Sequence, residues 1–467
     1  MLVTAPKEMD GALGQLRTTL VLVDPISSAR CLAREASSRG FTTVAIWQSA
    51  GTHDDEDFSF SFTHHSLAKT VDVLQSRVVD GALAILSGSD DGVPLAEALS
   101  AELGIPIFTP ALSGTRRAAK HEQQRAVEAA GLRACRGAVG NHWTLEMEAV
   151  CGESLPVVVK LAEGTGSEGT KLCETAAAAR THVEWLLAHC IQDAEVLVQE
   201  YLKGDEYVVD TVSRDGVHKV CMLWRYDKRR ANQSDFIYYG ERPVASDSAE
   251  ASVLIPYALS VLTALGVLSG PVHMEIMLTA TTNDGDGGVG LLSPCLIEAN
   301  LRCHGGSGLW APLAERLYPG GHTQVTMAVD AALDPPQRFA SLPPVPPSPL
   351  SGHGAFLCLV SHKAGTVIGL PGIEMIHRLP SFLAHNPMGF TRGSKAPITI
   401  DLFTLVGMVV LHHATDAAIV DADAATIRRL EADGKLFELA PPAPPPRRRT
   451  IGFGVAPANT AAPAAVS

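Results

Sequence analysis

Two short apolar segments, Pro271-Val-His-Met-Glu-Ile-Met277 and Leu296-Ile-Glu-Ala-Asn300, carry polar side chains at alternate positions. Side chains alternate between the two faces of a strand, so His273 shares a face with Glu275, and Glu298 shares one with Asn300. If the two strands pair, Glu275, Glu298 and Asn300 converge on one spot. Burying acids in that way without a cation is costly. Two carboxylates and an amide oxygen are the hard-oxygen set that Mg²⁺ takes, with phosphate oxygens completing its octahedron. The alternative is a solvated sheet face, against which the apolar flanks argue. Arg302 follows two positions after Asn300 and could clamp a phosphoryl group or a carboxylate. His304-Gly-Gly-Ser-Gly308 offers pliant backbone close by.

A second constellation lies upstream. Pro156-Val-Val-Val-Lys160 reads as a strand feeding Gly164-Thr-Gly-Ser-Glu-Gly169, which matches G-x-G-x-x-G. A dinucleotide fingerprint must open a helix, yet Thr170-Lys-Leu-Cys173 reads as strand. A Walker loop is also missed, because Thr170 separates the last glycine from Lys171. What remains is a glycine-rich hairpin whose backbone N–H groups can approach an anion closely, or else an ordinary tight turn. Lys160 is either a snorkelling strand-end charge or a phosphate ligand. Gln199-Glu-Tyr-Leu-Lys-Gly-Asp-Glu206 joins two apolar strands without a standard hairpin. A nucleobase could pair with its exposed backbone while Glu206 holds ribose hydroxyls. Cys303 invites reading as a nucleophile, but nothing activates it and packing is the expectation. The pairs His64-His65 and His412-His413 lack metal-ligand spacing and read as surface residues.

Positioning these groups requires a large, ordered chain. The 467 residues are 46% hydrophobic, 19% charged and 5% aromatic, and 50 acids against 37 Lys and Arg leave a formal charge of −13. That length supports about two to four domains and the apolar fraction excludes extensive disorder. The acidic balance argues against broad nucleic-acid or anionic-membrane binding. No apolar run is long enough for a membrane helix, and residues 1–10 lack a signal-peptide core. Nine scattered cysteines without a CxxC read as reduced thiols, giving a cytoplasmic expectation.

Along the chain, strands at 19–23, 43–47, 81–86 and 105–108 alternate with helices at about 27–40 and 93–103, which predicts a parallel α/β domain over 1–114. A helix at 115–130 carries Lys120. Strands at 156–160, 170–173, 196–201, 207–212, 217–224, 272–278 and 296–300, with helices near 176–190 and 249–265, predict an α+β region over 115–333. Pro256 should limit the second of those helices. The Pro-rich 334–350 reads as a linker, 351–440 as a small α+β domain, and 441–467 as a disordered tail.

In this order, the pieces resemble the ATP-grasp carboxylate–amine ligases, particularly the L-amino-acid ligase (dipeptide-forming) group. The likeness runs from the first strand to about residue 439, apart from the Pro-rich stretch. It implies an ATP-grasp fold: an N-terminal pre-ATP-grasp α/β domain, two α+β subdomains around ATP, and a small C-terminal α+β domain. Asp91-Gly-Val-Pro-Leu-Ala-Glu-Ala-Leu99 is similar to the end of the family's first domain. By the resemblance, Lys120 and Lys160 are the nucleotide-binding lysines, and Gly164, Gly166, Ser167 and Gly169 belong to the loop over the phosphates. Gln199, Glu200, Tyr201 and Leu202 form the adenine hinge, Glu206 is the ribose acid, and Lys228 contacts phosphate. Glu275, Glu298 and Asn300 fall on the ligands of Mg²⁺ (or Mn²⁺). Arg302 falls on the arginine beside the acyl phosphate, His273 lines the substrate pocket and is the catalytic candidate for general base toward the amine, and His304, Gly305 and Gly306 border the substrate. The loop 281–290 departs from the pattern in length and acidity and leaves the strand pairing open. The segment 363–372 is similar to a strand-rich insertion in the C-terminal domain of these ligases.

The implied chemistry is attack of a carboxylate on the γ-phosphate of ATP, then displacement of phosphate from the acyl phosphate by an amine. The implied partners are a small carboxylate and an amine, one of them an amino acid, with no nucleic acid or membrane, and a homodimer is common among such ligases. Two alternatives stay open: a biotin-carboxylase-like enzyme activating bicarbonate, and a nucleotide-binding module without chemistry. The intact Glu/Glu/Asn/Arg set argues against the second.

Overall fold

The computed structural model describes residues 17–49, 51, 53, 55–77, 82–105, 119–164, 166–189, 194–280, 291–318, 320–333 and 335–440. The first sheet is parallel, ordered β3-β2-β1-β4, from β1 (Arg17–Val23), β2 (Thr42–Trp47), β3 (Phe60–Thr63) and β4 (Ala82–Ser87). Leu20, Val21, Leu22 and Val23 are fully buried, as a continuous apolar run covered on both faces should be. Helices Ala29–Ser38, Leu67–Arg77 and Val93–Glu102 complete the α/β unit expected here. The strand expected at 105–108 and the start of the Lys120 helix fall largely on 106–118, outside the described residues.

A small antiparallel sheet follows, ordered β5-β8-β6-β7, from β5 (Gly137–Gly140), β6 (Val157–Leu161), β7 (Lys171–Cys173) and β8 (Val196–Glu200). Helices Leu145–Ser154 and Ala176–His189 cover it, burying Met147, Cys151, Val183 and Leu186 against Val157, Val159 and Val198. β5 and the helix before β6 were not anticipated. Gly137-Ala-Val-Gly140 is too short and small to announce a strand; pairing with the apolar β8 makes it one.

The third sheet organises the site. β9 (Asp205–Arg214), β10 (Val217–Ala231), β11 (Ser234–Pro243), β12 (Gly270–Ala280) and β13 (Leu292–Asn300) are joined by β14 (His353–Cys358), β18 (Met408–His413) and β16 (Phe382–Asn386). Their order is β13-β12-β9-β10-β11-β14-β18-β16. The C-terminal region is therefore continuous with the sheet at 205–300, where a separate small domain was expected. Glu241 stands opposite Phe356, and one core runs from Val208 and Trp224 to Phe356, Cys358 and Met408. A lesser three-stranded sheet, β17-β15-β19, uses β15 (Gly365–Gly369), β17 (Lys395–Ala396) and β19 (Glu438–Ala440), and shares a second core with β14, β18 and helix Ala417–Ala432.

Two expectations change. The stretch expected as a linker is packed down: Pro336–Ser341 is helical and Phe339 is buried. Val220 donates its N–H to the carbonyl of Pro344 and Ser246 its hydroxyl to that of Pro346, so the prolines strap the back of the sheet. Helix Ala249–Ala264 runs through Pro256 unbroken. Pro256 is exposed, and the carbonyl it leaves unbonded belongs to the exposed Ser252, where water can serve it. The tail expected at 441–467 lies outside the described residues. Among the described residues no helix is long and apolar enough to cross a membrane.

Candidate active site

The face of the large sheet that carries Glu275 looks across a cleft at the small sheet. Antiparallel pairing of β12 with β13 sets Glu275 opposite Glu298 and His273 opposite Asn300, the convergence that alternate spacing required. The register shifts just after Glu275, where Ile276 pairs with Leu296, so Ile297 is the extra residue of a bulge. Ile297 then reaches the same cavity as Glu298 and Asn300. The loop 281–290 lies outside the described residues.

Nearly all the sequence-derived residues line this one cavity: Lys120, Lys160, Gly164, Gly166, Ser167, the hinge 199–202, Glu206, Lys228, His273, Glu275, Glu298, Asn300, Arg302, His304, Gly305 and Gly306. Gly169 is the exception. Its positive φ of 63° and a would-be Cβ 2.7 Å from Leu186 place it against the covering helix, where His182 Nε2 meets its carbonyl at 2.7 Å. Its glycine serves the close approach of loop to helix rather than a phosphate. Residue 165 of that loop lies outside the described residues.

The cations are held by their neighbours. Lys120 Nζ donates to the carbonyl of Gly164 at 2.6 Å and pairs with Glu298 at 2.9 Å, tying the first helical turn to both the loop and β13. Lys160 is fully enclosed; burial, reinforced by the Lys120 charge, brings its ammonium down to about 8. Lys228 does not stand free: it pairs with Glu206 at 2.6 Å, lies 3.7 Å from Glu275, and sits over the rings of Tyr226 and Tyr238. Burial pushes Glu206 up to about 7 in spite of Lys228. Burial also opposes the charge on Glu275, but Lys228 and His273 prevail and hold its carboxyl well below the usual range. In the hinge, the Glu200 carboxylate accepts from the Arg136 N–H and the Glu200 N–H donates to the Arg136 carbonyl, both at 2.9 Å, so Glu200 braces the entry to β5 while also bordering the cleft.

Several members were not foreseen. Asp90, from the N-terminal unit, accepts from Arg302 Nε at 3.0 Å and Nη2 at 2.8 Å and fixes the guanidinium plane. Its other oxygen and Glu298 Oε1 each lie 3.2 Å from one end of the Asn300 amide. With the amide nitrogen at that end, both contacts are hydrogen bonds; with the oxygen there, oxygens converge as a hard cation requires. Behind this cluster Asp210 is wholly buried and bridges two imidazoles, His273 Nδ1 at 2.9 Å and His304 Nδ1 at 2.8 Å, while Trp224 Nε1 donates to it at 3.0 Å. Burial disfavours the Asp210 charge, but His304 and His273 outweigh it and keep the carboxyl below its ordinary range. Burial likewise opposes a charge on His304, yet Glu241 and Asp210 push it up to about 10. An acid inside the apolar Val-Val-Asp-Thr-Val run of β9 was the available signal for Asp210. Asp90 gave none, because its partner lies 212 positions away.

The loop 304–308 is buttressed from the N-terminal unit. Ser28 Oγ donates to the Gly305 carbonyl at 2.7 Å, the Ser307 N–H donates to Ser27 Oγ at 2.9 Å, and Trp310 Nε1 reaches the Gly305 carbonyl at 3.0 Å. Cys303 is buried among these contacts, and burial pushes its thiol well above the ordinary value.

A cleft between a small antiparallel sheet and a larger one, with lysines on one wall and paired acids on the other, is the arrangement of the ATP-grasp fold, and residues 153–284 match the family model described as an ATP-grasp domain. Dapdiamide A synthase of Enterobacter agglomerans is 26% identical over 362 residues, which cover 75% of this chain and 79% of that one. Among solved structures, the L-amino acid ligase from Bacillus licheniformis superposes with a TM-score of 0.71 at 16% identity, covering 91% of this chain and 99% of that one. The carboxyaminoimidazole ribonucleotide synthase of Aspergillus clavatus, complexed with ATP, gives 0.64 at 13% identity over 89% and 99%. At those identities the structural likenesses establish the fold, which is the one expected from the sequence.

Lys160→Ala should weaken nucleotide binding by about tenfold or more, as loss of a buried charged partner does. Fluorescence titration with ADP checks this, and unchanged affinity removes Lys160 from the site. The same lysine gives a pH dependence. A phosphate group at Lys160 would bind the charged ammonium, which the free protein loses as pH rises through about 8. Affinity should therefore be full below that value and fall above it, with proton uptake on binding visible in calorimetry across buffers of different ionisation enthalpy. A Lys160→Ala protein should lack that uptake.

Proposed function

We infer that the protein is an ATP-dependent carboxylate–amine ligase that forms an amide through an acyl phosphate and releases ADP and phosphate. The observation that carries this reading is the single cavity in which Lys120 and Lys160 oppose Glu275, Glu298 and Asn300, with Arg302 alongside. The relatives named as an L-amino acid ligase and as dapdiamide A synthase favour an amino acid as one substrate.

The chain's part is positioning and charge neutralisation, which is most of what phosphoryl transfer asks of a protein. Lys160, with Lys120 beside it, offsets phosphate charge, and the loop around Gly166 and Ser167 closes over it. The hinge backbone at 199–202 meets the base, and Glu206 lies where ribose hydroxyls can compete with Lys228. Glu275, Glu298 and Asn300 would hold Mg²⁺ or Mn²⁺, which would supply positive charge to neutralise the transferring group. Arg302, held flat by Asp90, meets the carboxylate oxygen that becomes the acyl phosphate.

A pairwise screen of amino acids and small carboxylates, reading phosphate release and product mass, tests the function. Stoichiometric ADP, phosphate and amide are expected. ATP turnover that responds to bicarbonate and to no other carboxylate would move the protein to the carboxylating class, and no turnover with any carboxylate would leave it a binding module.

A further inference from the structure

Beyond the nucleotide and metal groups, one acid in the cavity wall has a carboxylate oxygen without a hydrogen-bond partner among the described residues. Glu241 is 6% exposed, and its Oε1 meets His304 Nε2 at 3.1 Å. Its Oε2 is buried and has no hydrogen-bond partner among the described residues. Other orphaned atoms exist, on His121, Tyr318, His322, His385 and His412, but of these residues only Glu241 lines the central cavity. A buried carboxylate oxygen without a donor is costly, so its donor is expected to arrive with a ligand.

The surroundings select the donor. Glu241, His304, Asp210, His273 and Glu275 form a chain in which carboxylates and imidazoles alternate. In that chain the two-oxygen carboxylate of Glu241 receives a single imidazole edge, on Oε1. Lys228 pairs with the Glu275 end, and among the described residues no lysine or arginine pairs with Glu241. Around Glu241, Phe356 stands opposite it in the sheet, Cys358 and Met408 pair next door, and all three line the cavity. A ring, a thiol and a thioether are not the several oxygens that a hard metal takes. A carboxylate beside an aromatic ring suits an ammonium group. The backbone keeps this corner tight, because a Cβ on Gly306, whose φ is +67°, would lie 2.9 Å from Phe356 Cζ.

We propose that Glu241, positioned by His304, binds the ammonium group of the amino acid whose carboxylate is phosphorylated. The inference rests on the ligase reading and assigns the donor substrate to the free α-amino acids. The donor's ammonium keeps its charge throughout the reaction, so a buried ionised acid matches it at every step. The acceptor amine has to lose a proton before it attacks, and a carboxylate partner would oppose that loss.

The test is ADP formation by the full chain with amino acids paired against their desamino analogues, such as alanine with propionate, leucine with 4-methylpentanoate and phenylalanine with 3-phenylpropionate. The wild-type protein should favour the better amino acid over its analogue by about a hundredfold or more in kcat/KM, as a site built around a buried polar contact does. Glu241→Gln should raise the KM of that amino acid by about tenfold or more and largely erase the preference, with ADP affinity within about twofold of wild type as the check on folding. Glu241→Asp should keep part of the preference. Equal use of the desamino analogues by the wild type overturns the proposal without needing any variant. An unchanged preference in a Glu241→Gln protein that still binds ADP also overturns it, as does a KM effect confined to the acceptor amine. Absence of ADP formation with every carboxylate overturns the ligase reading itself, and is distinguishable because no preference can then be measured.

Discussion

Asn300→Ala and Glu298→Ala are each expected to lower kcat for carboxylate-dependent ADP formation by at least about 10²–10³-fold, the scale on which loss of one well-placed electrostatic group is felt. Both side chains reach the cavity from the C-terminal end of strand β13, and neither is a packing residue in the apolar sense. Glu298 also holds Lys120, but Lys120 keeps the Gly164 carbonyl at 2.6 Å, so the helix and loop stay tied when the acid is removed. The fold should survive, with unchanged circular dichroism and cooperative melting. A rise in the Mg²⁺ concentration needed for half-maximal activity, larger for Glu298→Ala than for any Lys160 variant, would place the loss in metal binding. Normal turnover in either variant removes the residue from the metal site.

Arg302→Met should cost about 10²-fold or more in kcat while leaving ADP affinity close to wild type, because the guanidinium is assigned to the acyl phosphate and not to the nucleotide. Arg302→Lys should not rescue it. The Asp90 carboxylate takes both Nε and Nη2 of Arg302, and a point-charge ammonium cannot reproduce that fork. Asp90→Asn provides the internal comparison. It leaves the arginine in place but loosens its plane, so a smaller fall in kcat is expected, with the arginine still present to bind. An Arg302→Met protein that loses nucleotide affinity and keeps its kcat would reassign the residue to ATP.

How much of this was legible beforehand depended on whether the signal was local. Alternation within each strand put His273 with Glu275 and Glu298 with Asn300, and the antiparallel register of β12 and β13 brings the two pairs together. The strand-loop-strand pattern at 156–173 likewise placed Lys160 and the glycine loop in one hairpin. Resemblance added the identity of the fold and the role of Lys120, and it made an adenine hinge of a segment, 199–206, that the residues alone offered as a place for a nucleobase. What escaped was long-range. Asp90 reaches Arg302 from another sheet, and Phe356, Cys358, Leu402 and Met408 reach the cavity from a region expected to stand apart. Sheet continuity through Gly240 and Leu357 decides that, and no periodicity within 351–440 announces which strand it will join. Glu241 follows Tyr-Tyr-Gly in a strand that was not anticipated, so its burial beside His304 had no sequence cue. Gly169 shows the converse: a glycine motif read as phosphate-binding throughout, one member of which serves helix packing.

The central claim, that a carboxylate is phosphorylated and then captured by an amine, is tested most directly with the active carboxylate labelled with ¹⁸O. Attack of that carboxylate on the γ-phosphate leaves one labelled oxygen in the bond that breaks when the amine displaces phosphate. One ¹⁸O should therefore appear in the released phosphate for each amide formed, with ADP as the only nucleotide product. Label retained wholly in the amide product and free substrate, or release of AMP and pyrophosphate, would contradict the account.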